Sequence, residues 1–439
     1  MSQCIAKPLR GLFVVAGLLA IAGCAFAQSN GANAPAPHGY VRAFDGETLK
    51  GWKVAGGDPN AYVPDHGVLL CHPSAGNLFL ENEYSDFSFK FDFKLDHGAN
   101  NGIGIRTSFH GDAAYLGMEC QVLDDDDPMY AHLEPGQYHS SLYKVVPAIR
   151  GSLKPAGEWN TETITAVGRH IKVVVNGKTT VDADLNKVND PEVFAVHPGF
   201  RRAKGYIGFL GHGPAECAFR NIFIRDMSKP EKENTPPDGF KALFNGKDLS
   251  GWKGLVADPP ARHKMTKEQL AEAQKKSDEE AFKHWSVKDG VIEYDGKNNN
   301  LCTIKDYENF EMLVDWKIGP KGDSGIYLRG SPQVQIWDNP LGSGGLYNNQ
   351  KNPSNPTVVA DNPIGQWNRF RILMIKDKVT VYLNNVLVVN NVTMENYWER
   401  DKPIYPIEQI ELQHHGDNLF FKNIYIREIK LAEPTAAKQ

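Results

Sequence analysis

Apolar and polar residues alternate in many short segments of this chain, and the clearest case is the stretch at residues 101–124. It reads as two strands joined by a short connection, with an apolar residue at every second position of each strand. Because successive side chains of a strand point to opposite faces, one face of the predicted hairpin is apolar. The opposite face is predicted to carry a cation, a carboxylate and an amide together, which are Arg106, Glu119 and Gln121. This combination is typical of a surface that lines a cleft.

Two further motifs occur twice, in the same order. FDGETLKGW at residues 44–52 returns 200 residues later as FNGKDLSGW at residues 244–252. Each copy closes on a similar strand, FRNIFIR at residues 219–225 and FKNIYIR at residues 421–427. Repeated motifs that keep their order indicate a tandem duplication.

The hairpin is also repeated, at residues 324–338, where Arg329, Gln333 and Gln335 take the corresponding positions. Within each copy, short alternating segments are separated by Gly, Asn, Asp and Pro, which predicts an all-β sandwich or jelly roll. One segment differs, because residues 265–284 have a capping box and a weak helical stripe. We expect a short helical insertion in the second copy, either a solvated surface element or a lid.

The N-terminus predicts export. A basic start with Lys7 and Arg10 precedes an apolar stretch at residues 11–23 that is short for a membrane span. Cleavage is expected either after Ala27, in an A-x-A site, or at Cys24, in a lipoprotein box. The expected location is therefore the periplasm, free or as a membrane-anchored lipoprotein. The predicted division of the chain is a signal peptide 1–28, a linker 29–38, a first domain 39–227, a linker 228–238, a second domain 239–430 and a tail 431–439.

Composition narrows the function classes. With 439 residues and 41% hydrophobic residues, the chain is long enough for two ordinary cores. The formal net charge of −5 without basic blocks argues against nucleic acid as a partner. No cysteine pair has zinc-site spacing, so buried free thiols are predicted at Cys71, Cys120, Cys217 and Cys302.

Other polar residues are expected on the same predicted surface. Outward positions of the strand preceding each hairpin are Asp92 and Lys94 in the first copy, and Asp315 and Lys317 in the second. Since neighbouring strands lie about 4.8 Å apart, these side chains are expected to join the hairpin's polar face. Each hairpin also ends in an aspartate, Asp124 or Asp338. A bulge could aim Asp124 into the cleft, but an acidic turn or a loose calcium loop is the alternative.

Histidines and aromatic residues complete the candidates. His139 lies in a long loop, and His212 and His415 each precede a glycine late in their copies, which makes them candidate proton carriers or surface residues. Trp159 could stack on a sugar or pack in the core. Arg106 and Arg329 could clamp substrate or belong to structural ion pairs. The remaining candidates for substrate binding are Tyr143, Tyr347 and Gln413.

Taken together, these motifs resemble the 3-keto-disaccharide hydrolase family, also described as 3-keto-glucoside 1,2-lyases and 3-keto-2-hydroxy-glucal hydratases. The resemblance covers nearly all of the expected mature chain, once per copy. It implies two tandem concanavalin A-like jelly-roll sandwiches and a carbohydrate substrate already oxidised at C3. A C3 ketone acidifies the C2 proton, so a base can remove it, the C1 substituent can leave by elimination, and water can add afterwards.

This chemistry needs a base, a group that stabilises the enolate and an acid for the leaving group. Glu119 or Asp124 could be the base or a ligand of a divalent metal ion, Arg106 or Lys94 could stabilise the enolate, and His212 or His139 could assist the leaving group. The second copy has Gln333 where the first has Glu119. Cleavage is therefore predicted in the first copy, and binding or a different step in the second. The rival class is a non-catalytic sugar-binding module, which has little need of Glu119.

Overall fold

The computed structural model describes residues 34–297 and 299–432 and contains two β-sandwiches in tandem. The described part has no helix long and apolar enough to cross a membrane. The strands of the first sandwich are β1 (Val41–Arg42), β2 (Trp52–Ala55), β3 (Tyr62–Asp65), β4 (Val68–Cys71), β5 (Gly76–Leu80), β6 (Phe87–Leu95), β7 (Asn100–Thr107), β8 (Met118–Leu123), β9 (Asn160–Val167), β10 (His170–Val175), β11 (Lys178–Asp184), β12 (Tyr206–Gly211) and β13 (Cys217–Asp226). Two short helices accompany them, α1 (Ala113–Leu116) and α2 (Pro191–Val196).

The second sandwich repeats this arrangement. Its strands are β14 (Lys241–Ala242), β15 (Trp252–Gly254), β16 (Trp285–Lys288), β17 (Val291–Asp295), β18 (Leu301–Thr303), β19 (Phe310–Ile318), β20 (Asp323–Leu328), β21 (Ser331–Trp337), β22 (Asn368–Ile375), β23 (Lys378–Leu383), β24 (Val386–Thr393), β25 (Glu411–Leu412) and β26 (Asn418–Glu428). The helices are α3 (Pro259–Arg262) and α4 (Lys267–Ala281). The prediction of two tandem all-β sandwiches is confirmed.

Each sandwich packs an eight-stranded sheet on a five-stranded sheet. In the first, the larger sheet has the order β11-β10-β9-β6-β13-β4-β3, with β1 beside β13, and the smaller has the order β2-β5-β12-β7-β8. In the second, the orders are β16-β17-β26-β19-β22-β23-β24, with β14 beside β26, and β15-β18-β25-β20-β21. All pairings are antiparallel among the described residues. The hairpin at residues 101–124 thus lies at the edge of the smaller sheet.

The alternating pattern builds the cores. In β6 the four phenylalanines at every second position are fully buried, and in β19 apolar residues at every second position are buried in the same way. Phe209 of β12 and Phe219 of β13 meet between the sheets, with ring centroids 4.1 Å apart. Aromatic contacts of this kind add to the burial of apolar area. The four cysteines of the described chain are buried free thiols, as predicted.

The repeated closing motif has a structural reason for its asparagine. Asn221 and Asn423 have φ angles of 50° and 51°, and each lies in a β-bulge of the last strand. This left-handed conformation strains most side chains, whereas asparagine adopts it more readily. The motif therefore encodes the same bulge in both sandwiches.

The helical insertion of the second sandwich is α3 together with α4. Thr266 and Gln269 form the predicted capping box, in which the side-chain oxygen of each residue accepts a hydrogen bond from the backbone N–H of the other. The helix α4 lies against β15, where Asp278 accepts from the backbone of Gly254 and Ser277 donates to the backbone of Leu255. The insertion covers one end of the smaller sheet.

A buried ionic cluster joins the two sandwiches. Glu311 of the second sandwich accepts from Arg201 of the first at 3.1 Å, and from Arg371 and Arg427 of its own sandwich at 2.7 Å each. The side chain of Arg201 is fully buried. The core of the first sandwich is also contacted by three apolar residues of the second, Leu373, Ile375 and Ile429.

Candidate active site

The outer face of the five-stranded sheet carries the polar side chains of the central hairpin. In β8, Cys120 and Val122 point into the core, so Glu119 and Gln121 point to the opposite side. The neighbouring strand makes room for the carboxylate, because a Cβ atom at Gly102 would lie 2.0 Å from Oε1 of Glu119. The predicted placement of Glu119 and Gln121 on one face is what the structure shows. Both residues are buried.

Glu119 is paired with His212, a residue 93 positions away in the chain. Oε1 of Glu119 lies 3.1 Å from Nε2 of His212. The Glu119 side chain is 4% exposed and the His212 side chain 46% exposed, so the histidine connects the buried carboxylate to the surface. Burial would lower the pKa of His212, but the hydrogen bond and the charge of Glu119, together with Asp112, raise it above its ordinary value. The pair can hold and pass a proton near neutral pH.

Aromatic side chains stand beside this pair. The backbone N–H of Tyr143 donates to the carbonyl of Glu119 at 2.9 Å, and its hydroxyl accepts from Gln137 at 3.1 Å. Tyr115 of α1 stacks on His197, with ring centroids 4.6 Å apart. Burial raises the pKa of Tyr115, and the nearby charges of Tyr143 and Glu119 act in the same direction. Tyr143 was predicted from the sequence.

Three neighbours of the pair were missed by the sequence analysis, namely Asp112, Tyr115 and His197. The signal for the first two was the short segment between the strands of the hairpin, where Asp112 caps α1 by accepting from the backbone of Ala114. His197 gives no such signal, because it reaches the site from the distant end of α2.

On the equivalent face of the second sandwich, amide side chains form a series of hydrogen bonds. Gln333 donates to Gln335 at 2.7 Å, and Gln335 donates to Asp323 at 2.7 Å. His415 contacts Asp323 at 3.0 Å and therefore has a different carboxylate partner from His212. Tyr347 bonds the backbone of the hairpin as Tyr143 does, donating to the carbonyl of Gln333 at 3.1 Å. The faces correspond in position and differ in chemistry.

A family model described as the 3-keto-alpha-glucoside-1,2-lyase-like domain matches residues 39–225 and, a second time, residues 239–427. The chain belongs to this family. It is similar to a 3-keto-disaccharide hydrolase of Bacteroides thetaiotaomicron, with 26% identity over 227 residues, which are 43% of this chain and 78% of that protein. The family predicted from the repeated motifs is confirmed.

Two solved structures of provisionally named glycosyl hydrolases from Parabacteroides distasonis are also similar. One has 27% identity and a TM-score of 0.36, and the match covers 40% of this chain and 99% of that chain. The other has 22% identity and a TM-score of 0.39, and the match covers 43% of this chain and 94% of that chain.

Part of the predicted surface of these lyase-like domains lies elsewhere. The strands β6 and β19 belong to the larger sheets, so their outward residues lie on the far side of each sandwich from Glu119 and Gln333. Asp92 accepts there from Thr161 at 2.7 Å, and Lys94 lies 5.6 Å from the ring centre of Trp159. The prediction of one shared concave surface is therefore wrong for Asp92, Lys94, Asp315 and Lys317. Trp159 is neither a core residue nor a neighbour of the Glu119–His212 pair.

The two hairpin arginines bond backbone carbonyl groups of the protein and are not placed to bind a ligand. Arg106 and Arg329 occupy matching positions with φ angles of 50° and 52°, and both are buried. Arg106 donates to the carbonyls of Ser85 and Gly168, and contacts Asp86 at 3.3 Å. Arg329 donates to the carbonyl of Pro406 at 2.8 Å. The positive φ turns both side chains away from the face that strict alternation predicts. Arg106 is therefore not a catalytic candidate.

The aspartates at the hairpin ends fix a loop. Oδ2 of Asp124 accepts from the backbone of Gly98 at 3.0 Å, and Oδ2 of Asp338 accepts from the backbone of Lys321 at 2.8 Å. In each case the aspartate's own N–H donates to the residue that follows, Ala99 or Gly322. The contacts are the same in both sandwiches and concern the turn before the hairpin. The prediction of a catalytic role for Asp124 loses its basis.

The predicted metal ligands Glu119 and Asp124 have separate partners, His212 and Gly98. Among the described residues, a different group could share a cation, since ligand atoms of His97, Asp124 and Asp127 lie within 4.8 Å of one another. Asp124 and Asp127 already accept hydrogen bonds from backbone N–H groups, and the His97 side chain is 88% exposed. These contacts explain the group as part of the turn, and we assign no metal to it.

His139 is inside the first sandwich. Its ring lies 5.2 Å from that of Phe93, and its Nε2 lies 3.6 Å from Oε2 of the buried Glu162. Burial lowers the pKa of His139 to about 3 and raises the pKa of Glu162 to about 8, so both side chains are held neutral. The prediction that His139 assists catalysis is wrong in this fold, because the core separates it from the outer face.

Proposed function

We propose that the first domain cleaves a 3-keto-glycoside by acid–base chemistry at C1 and C2, with Glu119 and His212 as the reacting residues. The Glu119–His212 contact carries the proposal. It is a carboxylate and a histidine at hydrogen-bond distance, on the outer face of a domain of the 3-keto-alpha-glucoside-1,2-lyase-like family.

In the proposed reaction, the carboxylate of Glu119 takes the C2 proton, and the electron pair of that bond forms the enolate with the C3 ketone. The C1–O bond then breaks by elimination, and protonated His212 gives its proton to the departing oxygen. Water added across the resulting double bond completes a net hydrolysis. Glu119 suits the role of base because it is shielded from bulk solvent, and His212 suits the role of acid because its raised pKa keeps it protonated to a higher pH.

The substrate side of the proposal is a sugar oxidised at C3. Without the ketone the C2 proton is not acidic enough for a carboxylate to remove. Tyr143 beside Glu119 offers a ring face and a hydroxyl group, which suits a sugar with apolar C–H faces and polar edges.

The test is incubation of the purified protein with a 3-keto-glucoside and with the unoxidised glucoside, each with and without a chelator. We expect release of the aglycone from the 3-keto-glucoside alone. Binding of the sugar without release would overturn the proposal in favour of a sugar-binding module.

We also propose that the protein works outside the cytoplasm, in the periplasm or on the membrane as a lipoprotein. This rests on the basic start, the apolar stretch and the two cleavage signals around Cys24. These residues lie outside the part of the chain that the structure describes.

A further inference from the structure

The second sandwich has a carboxylate on its outer face, on a different strand from Glu119. Glu411 of β25 pairs with Cys302 and Tyr327. In the first sandwich the corresponding position of β12 is Gly208, which pairs with Phe79 and Gly104. The loss of the carboxylate at Gln333 is thus accompanied by the gain of one on the strand next to the hairpin.

The surroundings of Glu411 hold it in place. Its side chain is buried, and Oε2 accepts from Asn300 at 3.0 Å. Arg262 of the helical insertion provides a positive charge nearby and is itself held by Glu408 at 3.0 Å. Burial raises the pKa of Glu411 to about 7, while Arg262 and Asn300 act in the opposite direction. A carboxylate of this kind exchanges protons near neutral pH.

Groups suited to a sugar line the same face. Tyr327 lies beside Glu411, whose charge adds to the effect of burial in raising the pKa of that tyrosine, and Tyr347 and Tyr397 are close enough to contribute. The last two are 41% and 37% exposed. Amides lie on the same face, since Gln333 donates to Gln335 and Gln413 hydrogen-bonds Tyr327. Aromatic faces and amides around one ionisable group are typical of a carbohydrate site.

We propose that the second domain contains a second carbohydrate site, in which the carboxylate of Glu411 transfers a proton at C2 of a 3-keto sugar. The proposal rests on the proposed function for the substrate class. In this step Glu411 takes the C2 proton, and the electron pair of the C2–H bond forms an enolate with the C3 ketone. Return of a proton to C2 restores the ketone, so no oxidant or further reactant is needed. In heavy water the C2 hydrogen is replaced by deuterium.

The experiment measures this replacement by proton NMR, with a methyl 3-keto-glucoside in heavy water and the full chain throughout. Glu119→Gln is the background, so that the first domain contributes little. We expect this single variant to retain exchange at C2. In the double variant, Glu119→Gln with Glu411→Gln, we expect the exchange rate to be about 100-fold lower than in the single variant. The matched control is Glu293→Gln in the same background, because Glu293 lies on the larger sheet of the second sandwich. It is expected to leave the exchange unchanged.

Thermal unfolding shows whether each variant is folded. Because Tyr347 is 41% exposed and lies outside the core, Tyr347→Ala provides a second variant that leaves the core intact, and it should raise the sugar concentration needed for half-maximal exchange several-fold. Equal exchange rates with and without Glu411, or no exchange in the Glu119→Gln background, would overturn the second site. Absence of both cleavage and exchange in the unmodified protein is a different result, because it refutes the proposed function and the second site with it.

Discussion

His212 and Glu119 meet at 3.1 Å across the outer face of the smaller sheet, from two strands that the chain places 93 residues apart. The strand β7 separates β12 from β8 in that sheet. On β7, Gly102 leaves room for the carboxylate, because a Cβ atom there would lie 2.0 Å from Oε1 of Glu119.

Replacing Glu119 by Gln should lower the turnover of a 3-keto-glycoside by about 10²–10⁴-fold, as for loss of a general acid–base group. The change is nearly isosteric, so the fold should be retained. Release of the aglycone under saturating substrate measures the effect. Gln333→Glu is the reciprocal control and should change little by itself. Full activity of Glu119→Gln together with inactivity of Glu411→Gln would place cleavage in the second domain instead.

The pKa of His212 should fall when Glu119 is replaced by Gln. Burial lowers this pKa, whereas the hydrogen bond and charge of Glu119 raise it, so removing the charge leaves burial as the main influence. In the unmodified protein, the stabilisation from charged His212 is complete below about pH 6.5 and is lost as the pH rises through its folded value. NMR titration of the histidines measures the shift. His415, which pairs with Asp323, serves as the internal control and should not respond.

Glu162→Gln should make the protein more stable at pH 8 than the unmodified chain, with little difference at pH 4. The folded pKa of Glu162 is about 8, above its ordinary value of 4.5, so the folded state keeps a proton that the unfolded chain releases. Stability of the unmodified protein therefore falls as the pH rises from 4.5 to 8, by at most roughly 4 kcal/mol from this group. Denaturant unfolding at the two pH values measures the difference. His139 contributes the opposite slope between pH 3 and 6.5 in both proteins, so its effect cancels in the comparison.

Asp124→Ala and Asp338→Ala should each lower the free energy of unfolding by about 1 kcal/mol, the usual contribution of a lost hydrogen bond. Both remove the acceptor for a backbone N–H in the turn before the hairpin. Turnover of the folded protein at saturating substrate should stay within a few-fold of normal. A drop of 10²-fold for Asp124→Ala, with the fold intact, would restore Asp124 as a reacting group.

Cys24→Ser should release the protein from membranes if the lipoprotein signal is used, because an acyl anchor would be lost. Cell fractionation with an antibody against the protein measures this. An unchanged distribution between the membrane and soluble fractions would instead favour cleavage after Ala27.

The sequence predicted the sandwiches well because alternation and repeated motifs are local signals. It also placed Glu119 and Gln121 on one outer face, since they lie on one strand. Alternation does not say which of two sheets a strand joins, and this is why Asp92 was assigned to the wrong side of the sandwich. A single positive φ reversed the expected direction of Arg106. The burial of His139 depends on how its loop folds over the core, for which the sequence has no periodic signal.

The contribution of Glu411 was missed for a related reason. The sequence comparison aligned Gln333 with Glu119 and treated the difference as a loss. Only the strand register shows that Glu411 of β25 lies in the same row as Gln333, with Tyr327 of β20 between them. In the proposed second site the carboxylate therefore lies two strands away from the position of Glu119.

Because of the ionic cluster around Glu311, truncated chains are unsuitable for deciding which domain carries an activity. A chain cut at the linker would leave Arg201 buried without its carboxylate partner, and would expose the apolar residues that the second sandwich packs on the first. An uncompensated buried charge costs about 3–5 kcal/mol, a large part of the stability of a typical domain. Loss of activity in a truncated chain would then report unfolding and not a missing reaction. The two proposed sites are best tested in the intact protein, one side chain at a time.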